Sequence, residues 1–153
     1  MEPFNLRHLR AFWQVAAGLA AEGRINAALL DSFVFPVYFR LSEEVRAPLE
    51  GDAELKEAFE VVELSNDLWP MPTEEALAAT GDVEAYAESY AGFARAFAES
   101  TLREGLFEGS TSTADGVAAI ADEFFRRLHD LFATEPELHG FEHQVVTLVL
   151  RRR

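Results

Sequence analysis

Two runs in this 153-residue chain read as β-strands, residues 58–64 and 141–150, and nearly every other patterned stretch reads as helix. The first, Ala58-Phe-Glu-Val-Val-Glu-Leu64, alternates as a strand does, with Phe59 and Val61 expected on one face and Val62 and Leu64 on the other. Apolar residues on both faces predict burial on both. The second, Phe141-Glu-His-Gln-Val-Val-Thr-Leu-Val-Leu150, is richer still in β-branched residues. An isolated strand pair is marginal in water and leaves open edges. The pattern predicts a mostly helical α+β chain, one domain or part of one, whose sheet is incomplete within this sequence.

The helices are marked by spacing and by caps. Over residues 6–21 the positions Leu6, Leu9, Phe12, Trp13, Ala16, Leu19 and Ala20 recur at helical intervals, and Gly23 is placed to end that helix. A short helical piece over 25–30 runs into Phe33-Val-Phe-Pro-Val-Tyr-Phe39, where Pro36 and its aromatic and β-branched neighbours predict extended or looped chain. Ser42, followed by Glu43 and Glu44, predicts a helix start ending by Gly51. After the Trp69-Pro-Met-Pro72 corner a loop is expected up to Asp82, a fitting cap for a helix with the stripe Val83, Tyr86, Tyr90, Phe93, Ala94, Phe97 and Leu102. Residues 105–116, rich in Gly, Ser and Thr, read as a flexible connector. Val117, Ile120, Phe124, Leu128, Leu131 and Phe132 mark one more helix. No repeat period and no second domain boundary stand out.

Composition narrows the function. A chain of this length buries roughly 70% of its unfolded surface, and 13 Phe, 2 Trp and 3 Tyr supply large side chains for a core. The net charge of −14 repels phosphate backbones and anionic lipid, which disfavours nucleic-acid and membrane partners. Arg151, Arg152 and Arg153 read as a solvated basic end rather than a binding patch. Without cysteine there is no disulfide, thiolate or cysteine-metal chemistry. No apolar run reaches the roughly 20 residues of a membrane span, and the first residues lack the features of a secretion signal, so a cytoplasmic address is the expectation. Lys56 is the only lysine, and arginine with abundant alanine fits a GC-rich bacterial gene.

Three segments, Ala11-Phe-Trp-Gln-Val15, Leu30-Asp-Ser-Phe-Val-Phe-Pro-Val-Tyr-Phe-Arg40 and residues 141–150, resemble in order and kind the C-terminal part of the SABATH-type S-adenosylmethionine-dependent carboxyl methyltransferases. In that family a helical cap inserted late in the chain sits over a doubly wound (class I, Rossmann-like) cofactor domain, and the chain then returns to supply its last strands. The resemblance implies an aromatic-walled acceptor pocket. Phe12 and Trp13 match its hydrophobic-Trp pair, Tyr38 the tyrosine of Asp-x-Phe-Asn-x-Pro-x-Tyr, and Phe141 the aromatic that opens the last strand. Phe93-Ala-Arg-Ala-Phe-Ala-Glu99 matches the Arg-Ala-x-x-Glu helix, placing Ala94 and Phe97 against the acceptor. Val34 stands where the family has Asn, and Ala94 where it has a larger side chain.

The implied reaction is in-line displacement of a sulfonium by an acceptor carboxylate, which needs positioning and a dry cavity more than acid or base. S-adenosylmethionine is the donor of the intact family enzyme. No G-x-G turn follows a strand here, so the donor half is absent and no cofactor is expected to bind this chain alone. The resemblance implies a small-molecule carboxylate as acceptor and leaves room for a complementing cofactor-domain chain or a second copy. The rival reading is a freestanding acidic helical module that binds an apolar ligand or a protein. Other features carry less. His139 and His143 have metal-like spacing but flank Gly140 and a β-rich run, and no carboxylate pattern completes a site. Glu43 and Glu44 are explained by the helix dipole, and His129 is expected beside the apolar stripe of its helix. The aromatic stripe, without the resemblance, is ordinary core.

Overall fold

The computed structural model describes residues 7–38, 40–69, 71–139 and 143–153. Helix accounts for 67% of the described residues and the strands form one antiparallel pair, so the class is α+β and mostly helical. Two compact units emerge: a helical unit of Met1–Phe35 with Met71–Phe141, and a sheet unit of Pro36–Pro70 with Glu142–Arg153. The chain crosses between them three times, after Phe35, Pro70 and Phe141.

In the helical unit, α1 (Arg7–Ala21) turns Ala11, Phe12, Val15, Ala16 and Leu19 inward. Gly23, at φ 71°, closes it as its spacing predicts, and the Arg24 N–H returns to the Leu19 carbonyl at 2.8 Å. Helix α2 is Ala27–Ser32, two residues later than expected, because the Asn26 side chain caps it by accepting from the Ala28 N–H at 3.0 Å. Residues 33–38 have no regular structure, as read; Phe39 lies outside the described residues.

The stretch before Asp82, expected to be loop, holds a helix, Pro72–Thr80, the fifth in the chain. Its signals are Pro at its first position and Gly81 at φ 69° just after it. The sixth helix, Val83–Leu102, is capped as predicted, with the Asp82 carboxylate accepting from the Ala85 N–H at 3.0 Å. Its buried arc is Tyr86, Ala87, Tyr90, Ala91, Ala94, Ala98 and Leu102, whereas Phe93 and Phe97 of the expected stripe are exposed. The predicted connector is helical at its start, where a wide π-helical turn, Arg103–Phe107, continues this helix and buries Leu106 and Phe107, while residues 108–113 are turn and bend. Then come the seventh helix, Ala114–Thr134, with Thr113 accepting from the Gly116 N–H at 3.1 Å, and the short eighth, Pro136–His139. The buried Val117, Ile120, Phe124, Leu128 and Phe132 match the stripe read for the seventh.

The sheet unit opens with α3 (Ser42–Gly51), where Leu41 rather than Ser42 is the capping residue. The Glu44 carboxylate reaches back to the Leu41 N–H at 2.8 Å, the half of a capping box that Ser42 does not supply. Helix α4 (Ala53–Ala58), unforeseen, is capped by Asp52 and delays strand β1 to Phe59–Trp69. Strand β2 is His143–Arg152. The two pair antiparallel from Phe59↔Arg152 to Trp69↔His143, with a bulge between Val61 and Glu63.

That bulge corrects the expected faces. Skipping Val62 puts Phe59, Val61, Leu64 and Leu68 opposite Arg152, Leu150, Leu148 and Gln144, all on one face. Glu60, Glu63, Ser65 and Asp67 fall on the other, opposite Arg151, Val149, Thr147 and Val145. Strand β1 is thus apolar on one side and acidic on the other, while β2 carries apolar residues on both. No described residue of the sheet unit is buried.

With the elements now named, helices α5 (Pro72–Thr80), α6 (Val83–Leu102), α7 (Ala114–Thr134) and α8 (Pro136–His139) join α1 and α2 around one core, in which Leu19, Phe107, Phe124, Leu128 and Phe132 are fully buried. Ion pairs fasten its rim. Arg127 on α7 holds Glu22 just past α1 through two bonds of 2.7 Å and reaches Glu123 at 2.7 Å, while Arg126 joins Glu123 to Asp130. The Arg126 and Arg127 guanidiniums hold the Glu123 carboxyl well down, at about 2, and Arg127 also lowers Glu22.

Because both carboxyls ionise more readily folded than unfolded, their contribution is complete above the ordinary value of 4.5 and is lost as pH falls toward about 2. The thermal midpoint is therefore expected to fall steadily across that window. In Glu123→Gln the fall should be shallower and the midpoint at pH 7 lower. A Glu123→Gln acid profile parallel to wild type, followed by circular dichroism, would refute this assignment.

Candidate functional site

The chemistry-bearing surface of the helical unit is a continuous run of phenylalanine rings. Phe93 and Phe97, one turn apart on α6, lie parallel at 6.2 Å between centroids. Phe35, from the irregular segment after α2, stacks on Phe97 at 5.5 Å with 28° between planes. The same Phe35 ring meets Phe12 of α1 and Phe33 edge-on, each at 6.2 Å. Phe12 continues the run inward, edge-to-face with Phe124 at 6.0 Å, and Phe124 contacts Phe107 and Phe125. These are the offset and T-shaped contacts that ring quadrupoles favour. The run leads from exposed rings at Phe93 and Phe97 to a fully buried one at Phe124.

Local sequence explains how the rings meet. In extended chain alternate residues share a side, so Phe33 and Phe35 address the helices together. Gly105 in the π-helical turn leaves room for Phe33: a Cβ there would overlap its ring. Gly109 does the same beneath Leu29 of α2, and the Ser110 hydroxyl accepts from the Asn26 N–H at 2.9 Å. Phe33, where the irregular segment begins, is therefore seated on the π-helical turn, and α2 just before it on Gly109 and Ser110.

The residues singled out in the sequence separate. Phe12 and Phe97 are brought together, through Phe35. Ala94 is buried in the core of the helical unit, and Trp13, beside Phe12 on α1, is 47% exposed. Tyr38 belongs to the sheet unit, is 72% exposed and donates its phenolic hydrogen to the Glu44 carboxylate. That bond raises the Tyr38 pKa and lowers that of Glu44. Phe141 lies outside the described residues.

Arg95 and Glu99, the charged members of the Arg-Ala-x-x-Glu pattern, pair with each other at 2.7 Å. Arg95 also bonds Asp122 on α7 at 2.8 Å and lies 5.4 Å from the Phe125 ring centroid, and Glu99 takes Arg103 at 2.8 Å. Their work is to fasten α6 to α7. His129 sits half-buried beside Glu84 and Asp130, as its helix position suggested. Tyr86 donates to the Pro136 carbonyl at 3.4 Å, and burial, with the charge of Glu74 behind it, pushes its phenol up to about 12.

An array of this kind stacks on a flat apolar group and offers no proton. Among the described residues no group of three or more His, Cys, Asp or Glu is placed to hold a metal ion, and no described helix is long and apolar enough to cross a membrane. Phe33, Phe35 and Gly105 were not found from sequence. The available signal was the two-residue alternation Phe33-x-Phe35 just before Pro36. No protein-family model matches the chain, and no curated protein sequence matches it.

Proposed function

We propose that this chain is the C-terminal portion of a small-molecule methyltransferase that uses S-adenosylmethionine, with the phenylalanine run of the helical unit as one wall of the acceptor site. The acceptor is a small apolar or aromatic carboxylic acid, whose ring stacks on Phe93 and Phe97 while its carboxylate faces the donor. The observation that carries the reading is the state of the sheet unit. Among the described residues of its two-stranded sheet none is buried, and β2 is apolar on both faces, the pattern of a strand covered on both sides in a larger sheet. A helical insertion between two late strands is also the arrangement the resemblance implies. By itself the chain is expected to be inactive.

A second reading is favoured by two different observations. The helical unit has a closed core of its own, and β1 and β2 pair with each other, as a freestanding module would require.

Two titrations of residues 1–153 separate the readings. Aryl carboxylates such as benzoate and salicylate, at millimolar concentration, should move the Phe93 and Phe97 ring signals in NMR spectra, whereas S-adenosylhomocysteine should leave the melting midpoint unchanged. A bound ligand at 100 times its dissociation constant adds about 2.7 kcal/mol, a shift that cannot be missed. An upward shift with S-adenosylhomocysteine would show that the chain carries a donor site, against the proposal. Ring signals indifferent to every aryl acid would remove the acceptor site and leave the helical module.

A further inference from the structure

Phe35 stands apart from its neighbours in the run. Phe12 and Phe97 are fixed by helices, while Phe35 comes from chain without regular structure, held in place because Phe33 seats against Gly105. Three rings contact it: Phe97 stacked at 5.5 Å, and Phe12 and Phe33 in T-shaped contact at 6.2 Å each. Those are the contacts a planar aromatic ligand would take up in its stead. Phe35 is only partly buried, so the space its ring would leave opens at the surface, where apolar walls favour a flat hydrocarbon over water.

We propose that Phe35 is the specificity-determining residue of the site: it fills a one-ring slot between Phe12 and Phe97 and so confines the acceptor to a single ring on the outer rings Phe93 and Phe97. The proposal rests on the acceptor-site reading above, but its readout is ring binding and requires no methyl donor. A smaller residue at position 35 opens the slot, and a fused two-ring acid gains over a one-ring acid because its second ring can enter.

The test compares 2-naphthoate with benzoate on the full chain by NMR titration, using wild type, Phe35→Ala and Phe35→Leu. Phe35→Ala is expected to raise the preference for 2-naphthoate about tenfold. Phe35→Leu, which keeps most of the bulk, should change it by less than about threefold, separating open space from mere hydrophobicity. If Phe35→Ala loses its cooperative melt, Phe35→Val carries the same comparison with a rise of about threefold expected. An unchanged preference in a folded Ala or Val variant overturns the slot and leaves the acceptor site standing. Binding of 2-naphthoate by the variant alone, with neither acid bound by wild type, keeps the slot and removes the acceptor reading. Absence of binding in every chain overturns both.

Discussion

Phe124→Ala is expected to lower the stability of the helical unit by about 3–5 kcal/mol, the range for emptying a fully buried aromatic site. Phe124 is wholly buried on α7, and three rings contact it: Phe12 from α1 at 6.0 Å, Phe107 from the π-helical turn at 5.6 Å, and Phe125 beside it at 5.2 Å. No one neighbour can fill the gap, since each is held by a different element. Against a total stability of about 5–15 kcal/mol for an ordinary domain, such a loss leaves the unit near its unfolding point at 37 °C. A urea titration followed by circular dichroism measures it. Trp13→Ala, at an exposed position on the same α1 helix, is the reference and should stay within about 0.5 kcal/mol. Equal losses at the two positions would contradict the packing described.

The second large effect runs against the usual rule. Glycine inside a helix normally costs about 1 kcal/mol relative to alanine, so Gly→Ala stabilises. At Gly92, in the middle of α6, an added Cβ meets nothing within 4 Å, and Gly92→Ala should gain about 0.5–1 kcal/mol. At Gly105 the added Cβ would overlap the Phe33 ring, which is itself held by Phe35, so Gly105→Ala should lose about 1–3 kcal/mol. The decisive comparison is the double variant: with Phe33→Ala already in place, Gly105→Ala should cease to destabilise. A gain at both glycines in the wild-type background would mean that Phe33 is not seated on the π-helical turn.

The contrast between those glycines also shows where sequence reading succeeds and where it stops. Helices α1, α6 and α7 were legible because each has a local signature, Gly23 closing the first, Asp82 and its apolar stripe the second, the stripe from Val117 the third. The exact buried arc of α6 was not. Ala87, Ala91 and Ala98 fill it, and alanine gives no hydrophobic signal strong enough to outweigh Phe93 and Phe97, which point outward. Gly105 was read for its freedom when its use is its small size. The bulge at Val62 was invisible because Val61 and Val62 are alike, although skipping one of them reverses every later side chain of β1. Of the site, Phe12 and Phe97 were reachable by resemblance. Phe35, the ring that joins them, lies where no helical period operates.

Strand β1 has no hairpin partner: the residue opposite Trp69 is His143, with the helices of residues 71–139 between them in the chain. During synthesis β1 leaves the ribosome well before β2 has been made. A strand kept waiting in that way, apolar on one face with Phe59, Val61, Leu64 and Leu68, invites pairing with the wrong neighbour. Glu60, Glu63 and Asp67 on its other face then have a use before the native state exists. Like charges on a second copy repel them, whereas β2 brings Arg151 opposite Glu60, so charge favours the native partner over a second copy of β1.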